Sequence, residues 1–66
     1  MEFKERLKEL RIEHNLSQQE IAKVVSMSKM AISHWEKGHS EPCIEQLKVL
    51  AHFFNVTIDY LVGFFD

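Results

Sequence analysis

Hydrophobic residues recur near the start of the chain at the spacing of a helix. Phe3, Leu7 and Leu10 lie at i, i+4 and i+7 with Glu and Lys between them. This pattern predicts an amphipathic helix over about residues 2–14. Asn15 tolerates a left-handed backbone conformation and is predicted to end it.

Two short helices are predicted directly after the first. Ser17 and Glu20 have the spacing of a capping box, in which each side chain binds the other residue's backbone amide at a helix start. This second helix must end near Ser26, because Ser28 is a good N-cap for the next one. The third helix is predicted over about residues 29–36.

A polar loop over residues 37–42 precedes the fourth predicted helix, and Gly38 within it suits a left-handed helix end. Cys43 and Gln46 then have the spacing of a second capping box, with cysteine in the cap position. The apolar stripe of this helix comprises Ile44, Leu47, Leu50, Ala51 and Phe54.

The last predicted helix is the shortest. Asn55 ends the fourth helix, Thr57 caps the fifth, and residues 63–66 form an apolar tail. The chain is therefore predicted to be all-α, a compact five-helix domain over residues 1–66 with no repeat or linker.

The second and third helices, over about residues 18–37, are close enough in sequence to form a helix-turn-helix. Ala22 is small enough for close contact between the two helices. The residues predicted to face the core are Ile21, Val25, Met27, Ile32 and Trp35. The residues left on the outer side of the third helix are Lys29, Met30, Ser33 and His34.

Composition is that of an ordinary globular protein, with 45% hydrophobic and 27% charged residues. The formal charge of −2 argues at first against a nucleic-acid partner. Its distribution changes that interpretation, because residues 18–39 carry three lysines against two glutamates, whereas residues 40–66 carry one lysine against four acids. The middle third of the chain is therefore its basic part.

The sequence does not indicate export, a membrane span, a metal site or catalysis. Its single cysteine cannot form an intrachain disulfide, and the charged N-terminus is unlike a signal peptide. No apolar run is long enough to cross a bilayer, so a cytoplasmic location is expected. The four histidines lack zinc-like spacing, and no catalytic triad or glycine-rich phosphate loop is present, so no metal, cofactor or enzyme activity is expected.

Over residues 5–62 the sequence resembles the phage repressor and Cro-type helix-turn-helix family, also called the XRE family. The resemblance lies in "LKELRIEHNLSQQEIAKVVSMSKMAISHWEKG" followed by "EP" and "LKVLAHFFNVTIDYLVG". It implies a five-helix fold of the lambda-repressor type and binding to double-stranded DNA.

The resemblance also implies roles for individual residues. Base edges are expected to be contacted by Lys29, Met30, Ser33 and His34, since lysine can donate to guanine and methionine can pack on a thymine methyl. Phosphates are expected to be contacted by Gln18, Ser28, Lys37, His39 and Ser40. A salt bridge between Arg11 and Glu36 is expected to join the first and third helices.

The sequence departs from the family pattern at two positions. Ser26 stands where the family usually has glycine, and a left-handed conformation costs a non-glycine residue about 1–2 kcal/mol. Glu41 stands in the loop where relatives often carry a base.

The expected function is that of a sequence-specific transcriptional regulator, a repressor that binds a two-fold operator as a homodimer. Phe64 and Phe65 are the expected dimer interface; alternatively, one ring folds back onto the first helix and the other is exposed. Another alternative is an antitoxin or interaction module whose partner is a protein such as a toxin or anti-repressor. The chain could also be part of a longer regulator, although its start at Met1 and its apolar tail suggest a complete protein.

Overall fold

The five predicted helices are all present in the computed structural model, which describes residues 1–64. They are α1 (Phe3–Glu13), α2 (Gln18–Val24), α3 (Lys29–Lys37), α4 (Ile44–Phe54) and α5 (Ile58–Val62). No strand occurs among the described residues, so the all-α prediction is confirmed. Within residues 1–64, no helix has both the length and the apolar character that crossing a membrane requires.

Local capping interactions explain where the helices begin. Ser17 Oγ accepts a hydrogen bond from the Glu20 amide at 3.1 Å, and the Glu20 carboxylate accepts one from the Ser17 amide at 2.8 Å. Cap hydrogen bonds also start α3, α4 and α5: Ala31 N–H to Ser28 Oγ at 3.2 Å, Cys43 N–H to Gln46 Oε1 at 2.8 Å, and Tyr60 N–H to Thr57 Oγ1 at 3.0 Å. The predicted helix starts are confirmed.

The Ser17–Glu20 capping box should make part of the stability sensitive to acid. The backbone amide of Ser17, and secondly its hydroxyl, lower the pKa of Glu20 below its usual value. A lowered folded-state pKa stabilises the fold above the unfolded-state pKa, and this contribution is lost as pH falls through the folded value. We expect Glu20→Gln to lose less stability than the parent between about pH 5 and pH 2, measured by urea unfolding. Equal losses in both proteins would contradict this role of Glu20.

The helices pack around one apolar core. α1 lies against α3 and α5, α2 against α3 and α4, and α4 against α5. The buried residues of this core are Phe3, Leu7, Leu10, Ile21, Ala22, Val25, Ile32, Trp35, Leu50, Ala51, Phe54 and Leu61.

Two residues predicted to face the core do not. Met27 is 40% exposed, because the chain reverses at Ser26 and carries the Met27 side chain to the outer side of the turn. Ile44 is 62% exposed, since it is the first residue of α4 and contact with the core begins further along the helix, at Leu47. Both predictions were wrong.

Candidate nucleic-acid interface

The turn between α2 and α3 holds these two helices in close contact. Ala22 is completely buried. Ser26 adopts a left-handed conformation with φ of +57°, as its place at the family's glycine position implies. The Met27 amide then donates to the Ala22 carbonyl oxygen at 2.9 Å, which closes the turn. The position of α3 is thus fixed directly by α2.

The outer side of α3 carries all four residues predicted to contact base edges. Lys29 and Met30 are exposed, with 64% of Met30 accessible, and Ser33 and His34 are half-buried. An ammonium, a thioether, a hydroxyl and an imidazole thus lie within two turns of one helix. The surface can donate hydrogen bonds to base acceptors and also present an apolar contact.

Most residues predicted to contact phosphate lie at the two ends of α3. Ser28 Oγ accepts the cap hydrogen bond from Ala31, which leaves its own O–H able to donate. Lys37, His39 and Ser40 are exposed at the opposite end. The rings of His34 and His39 lie 5.7 Å apart, so the half-buried and the exposed histidine are neighbours.

Glu36 joins three structural elements behind this surface. Its carboxylate accepts from Arg11 Nε at 2.7 Å and from Arg11 Nη2 at 3.0 Å, which makes a two-pronged ion pair between α1 and α3. It also accepts from Gln18 Nε2 at 3.2 Å. Arg11 Nη1 donates to the Leu16 carbonyl oxygen at 3.0 Å, so the guanidinium also ties the loop before α2.

The ion pair is largely shielded from solvent. The side chains of Arg11 and Glu36 are 15% and 5% exposed, respectively. The hydrogen bonds to Glu36 raise the pKa of Arg11 above its usual value, against the opposing effect of burial. Arg11 therefore remains charged over the accessible pH range. The structure thus brings Arg11 and Glu36 together, and it adds Gln18 to them, a link that sequence reasoning missed.

Lys4 is a second feature that sequence reasoning missed. Gly38 ends α3 with φ of +78°, and a Cβ placed on it would lie 3.0 Å from Lys4 Cδ and 3.5 Å from Lys4 Nζ. The lysine chain therefore crosses the end of α3. The residues are far apart in sequence, and Gly38 is already accounted for by the left-handed end of α3, so the sequence gives no signal of this contact.

The predicted dimer interface is described only in part. Phe64 follows α5 and is 68% exposed. Phe65 lies outside the described residues, so the structure does not test the predicted pairing of the two rings.

A family model described as helix-turn-helix matches residues 7–61. The chain belongs to this helix-turn-helix family. The matched residues include α2, α3 and the Arg11–Glu36 pair. The outer side of α3 is therefore the outer side of the second helix of the helix-turn-helix.

Relatives of this helix-turn-helix chain have different stated roles. The HTH-type transcriptional activator BcrR of Enterococcus faecalis is 47% identical over 63 residues, which cover 96% of this chain and 31% of the activator. The antitoxin PezA of Streptococcus pneumoniae is 35% identical over 57 residues, covering 86% of this chain and 36% of the antitoxin. The chain thus spans about a third of the length of these relatives.

A solved protein–DNA complex contains the same helical arrangement. The P22 c2 repressor in complex with a synthetic operator superposes on this chain with a TM-score of 0.87 and 32% sequence identity. The superposition covers 94% of each chain.

Proposed function

We propose that residues 1–66 form a DNA-binding domain of a transcriptional regulator, which reads double-stranded DNA by placing α3 in the major groove. The observation that carries this proposal is the mixed outer side of α3, on a helix fixed by α2 and by the Arg11–Glu36 pair. The major groove of B-DNA is about 12 Å wide and admits one α-helix. The P22 c2 repressor, which has the same fold, is bound to operator DNA, and this supports DNA binding.

Each of the predicted contact residues has a stated role in this proposal. Lys29 donates to guanine O6 and N7, Met30 packs on a thymine methyl, and Ser33 and His34 reach neighbouring base edges. Phosphates are contacted by Gln18, Ser28, Lys37, His39 and Ser40. No catalytic step or cofactor is part of the proposal, and the regulator acts on DNA in the cytoplasm.

Salt dependence tests DNA binding directly. Binding of the 66-residue chain to random duplex DNA should weaken as salt rises, because each phosphate that a lysine or arginine neutralises releases counterions. Fluorescence anisotropy between about 50 and 200 mM salt gives the slope of log affinity against log salt. A chain that fails to bind duplex DNA at the lowest salt would contradict the proposal.

A protein-binding role is the second candidate function. The similarity to the antitoxin PezA and the net charge of −2 favour it. In that role the chain contacts a protein such as a toxin or an anti-repressor. The same titration separates the two functions, because an interaction module has no series of phosphate contacts and therefore little DNA affinity at any salt.

Repression by a homodimer is the more detailed form of the DNA-binding proposal. One copy offers few phosphate contacts and the chain has no net positive charge, so two linked copies would be needed for useful affinity. A two-fold dimer would place its α3 helices in successive major grooves, about 34 Å apart. Occupying such an operator would block access of other proteins to a promoter.

Deletion of residues 64–66 should weaken this dimer. Phe64 is exposed and Phe65 follows it in the sequence, and adjacent aromatic residues are a suitable apolar contact between two copies. Sedimentation of the truncated and full chains, with and without operator DNA, should show loss of the dimer and of tight binding. A truncated chain that still dimerises and binds equally tightly would place the interface elsewhere.

A further inference from the structure

The first turn of α1 lies against the end of α3, beside the loop predicted to meet phosphate. Lys4 crosses Gly38 so closely that a Cβ there would lie 3.0 Å from Lys4 Cδ. Its Nζ would lie 3.5 Å from the same Cβ. The Lys4 ammonium therefore lies next to Gly38, and Lys4 lines the same surface depression as Gly38, His39 and Ser40, although it belongs to a different helix.

The ammonium of Lys4 does not form a strong ion pair with Glu2. Glu2 is an acidic neighbour of Lys4, with 4.0 Å between Lys4 Nζ and Glu2 Oε2. The two side chains are 42% and 80% exposed, so water screens this interaction. Lys4 can thus exchange Glu2 for another anion at little cost.

The loop itself has an unfavourable charge for meeting DNA. Glu41 is exposed at a position where the family often carries a base, and its carboxylate would repel a nearby phosphate. Lys37, at the end of α3, is the one fixed positive charge within residues 37–41. Lys4 adds a second positive charge at the same place from outside the loop.

We propose that Lys4 contacts a DNA phosphate beside the Gly38–Ser40 segment. Its positive charge compensates for the negative charge of Glu41 in this loop. This inference rests on the proposed function of DNA binding. The contact is independent of sequence, so Lys4 would contribute equally at operator and random DNA. A purely structural role, in which the ammonium stabilises the negative end of the α3 dipole, would change stability and leave DNA binding unaffected.

The test compares Lys4→Met with a matched control, Lys8→Met. Methionine keeps the apolar stem over Gly38 and removes the charge, while Lys8 is an exposed lysine one turn further along α1. Affinity for operator-like and random duplexes is measured over about 50–200 mM salt. Circular dichroism melting of each variant reports stability separately.

For Lys4→Met we expect the salt slope to fall by about 0.9, which corresponds to about eightfold weaker binding at 0.1 M salt. Lys4→Arg should restore the parent slope, and Lys8→Met should retain it. An unchanged slope in Lys4→Met, or equal changes in the two methionine variants, would overturn the inference while leaving DNA binding intact.

Two further outcomes are also decisive. If Lys4→Met does not fold, Lys4→Gln removes the same charge and keeps a polar side chain. The same slopes of log affinity against log salt are then expected. If the parent chain shows no salt-dependent DNA binding, the proposed function itself fails, and the role of Lys4 fails with it.

Discussion

Glu36→Ala is expected to leave the chain largely unfolded at room temperature. The substitution removes both hydrogen-bonded contacts to Arg11, whose guanidinium is only 15% exposed and would remain as an uncompensated charge. Breaking a buried ion pair in this way costs about 3–5 kcal/mol. A core in a chain of this length supplies about the same amount in total. Thermal melting followed by circular dichroism measures the effect.

An exposed ion pair within the same chain provides the matched control. Glu45 lies 3.6 Å from Lys48, with side chains 82% and 60% exposed, so Glu45→Ala should cost less than about 1 kcal/mol. Replacing both Arg11 and Glu36 by methionine should restore folding, because neither residue then leaves an unpaired buried charge at this site. A Glu36→Ala melting temperature within a few degrees of the parent would show that Arg11 finds adequate solvation without its partner.

The pH dependence of this pair follows from the raised pKa of Arg11. A group whose pKa is raised on folding stabilises the fold fully below its unfolded-state pKa and loses that contribution only as pH rises through the folded value. Because arginine already titrates far above neutral pH, this contribution should stay constant through the neutral range.

Lys29→Ala is expected to weaken binding to the specific site by about 1–3 kcal/mol and to relax the preference for one base. Lys29 is the exposed first residue of α3, where its ammonium can reach a base edge from the helix N-terminus. On random DNA the loss should be smaller, because no matched guanine is present. Anisotropy titrations with a selected site, a site with a single base change and random duplex give the three affinities.

Gln18→Ala is the comparison that separates base contact from phosphate contact. We expect it to weaken binding to all three duplexes by the same factor, since phosphates carry no sequence information. Losing the hydrogen bond from Gln18 to the Glu36 carboxylate also costs about 1.5–3 kcal/mol of stability, so both variants must be assayed well below their melting temperatures. If Lys29→Ala and Gln18→Ala show the same losses on specific and random DNA, Lys29 does not read a base.

The helix starts could be predicted from sequence because their causes lie within four residues. Ser17, Ser28 and Thr57 each cap the helix that follows, and Asn15 adopts the predicted left-handed conformation. Such hydrogen bonds depend on local spacing and hardly on the rest of the fold. The same reasoning placed the outer side of α3 correctly, since buried and exposed positions on a short helix follow its period.

Contacts between distant residues could not be predicted in this way. The Arg11–Glu36 pair was expected only because of the family resemblance, and the Gln18–Glu36 hydrogen bond was not expected at all. Arg6 is another example, with its guanidinium 3.8 Å from the centre of the Tyr60 ring. These interactions depend on how α1 crosses the other helices, which hydrophobic periodicity does not determine.

Selection from a pool of random duplex DNA tests the central claim most directly, which is that α3 reads a base sequence. The parent chain should enrich one motif that contains a guanine contacted by Lys29 and a thymine contacted by Met30. This motif should occur in two half-sites about 34 Å, or ten to eleven base pairs, apart. Lys29→Ala should enrich a motif that is degenerate at the guanine. A pool that stays random after selection with the folded parent chain at low salt would contradict sequence-specific binding through α3.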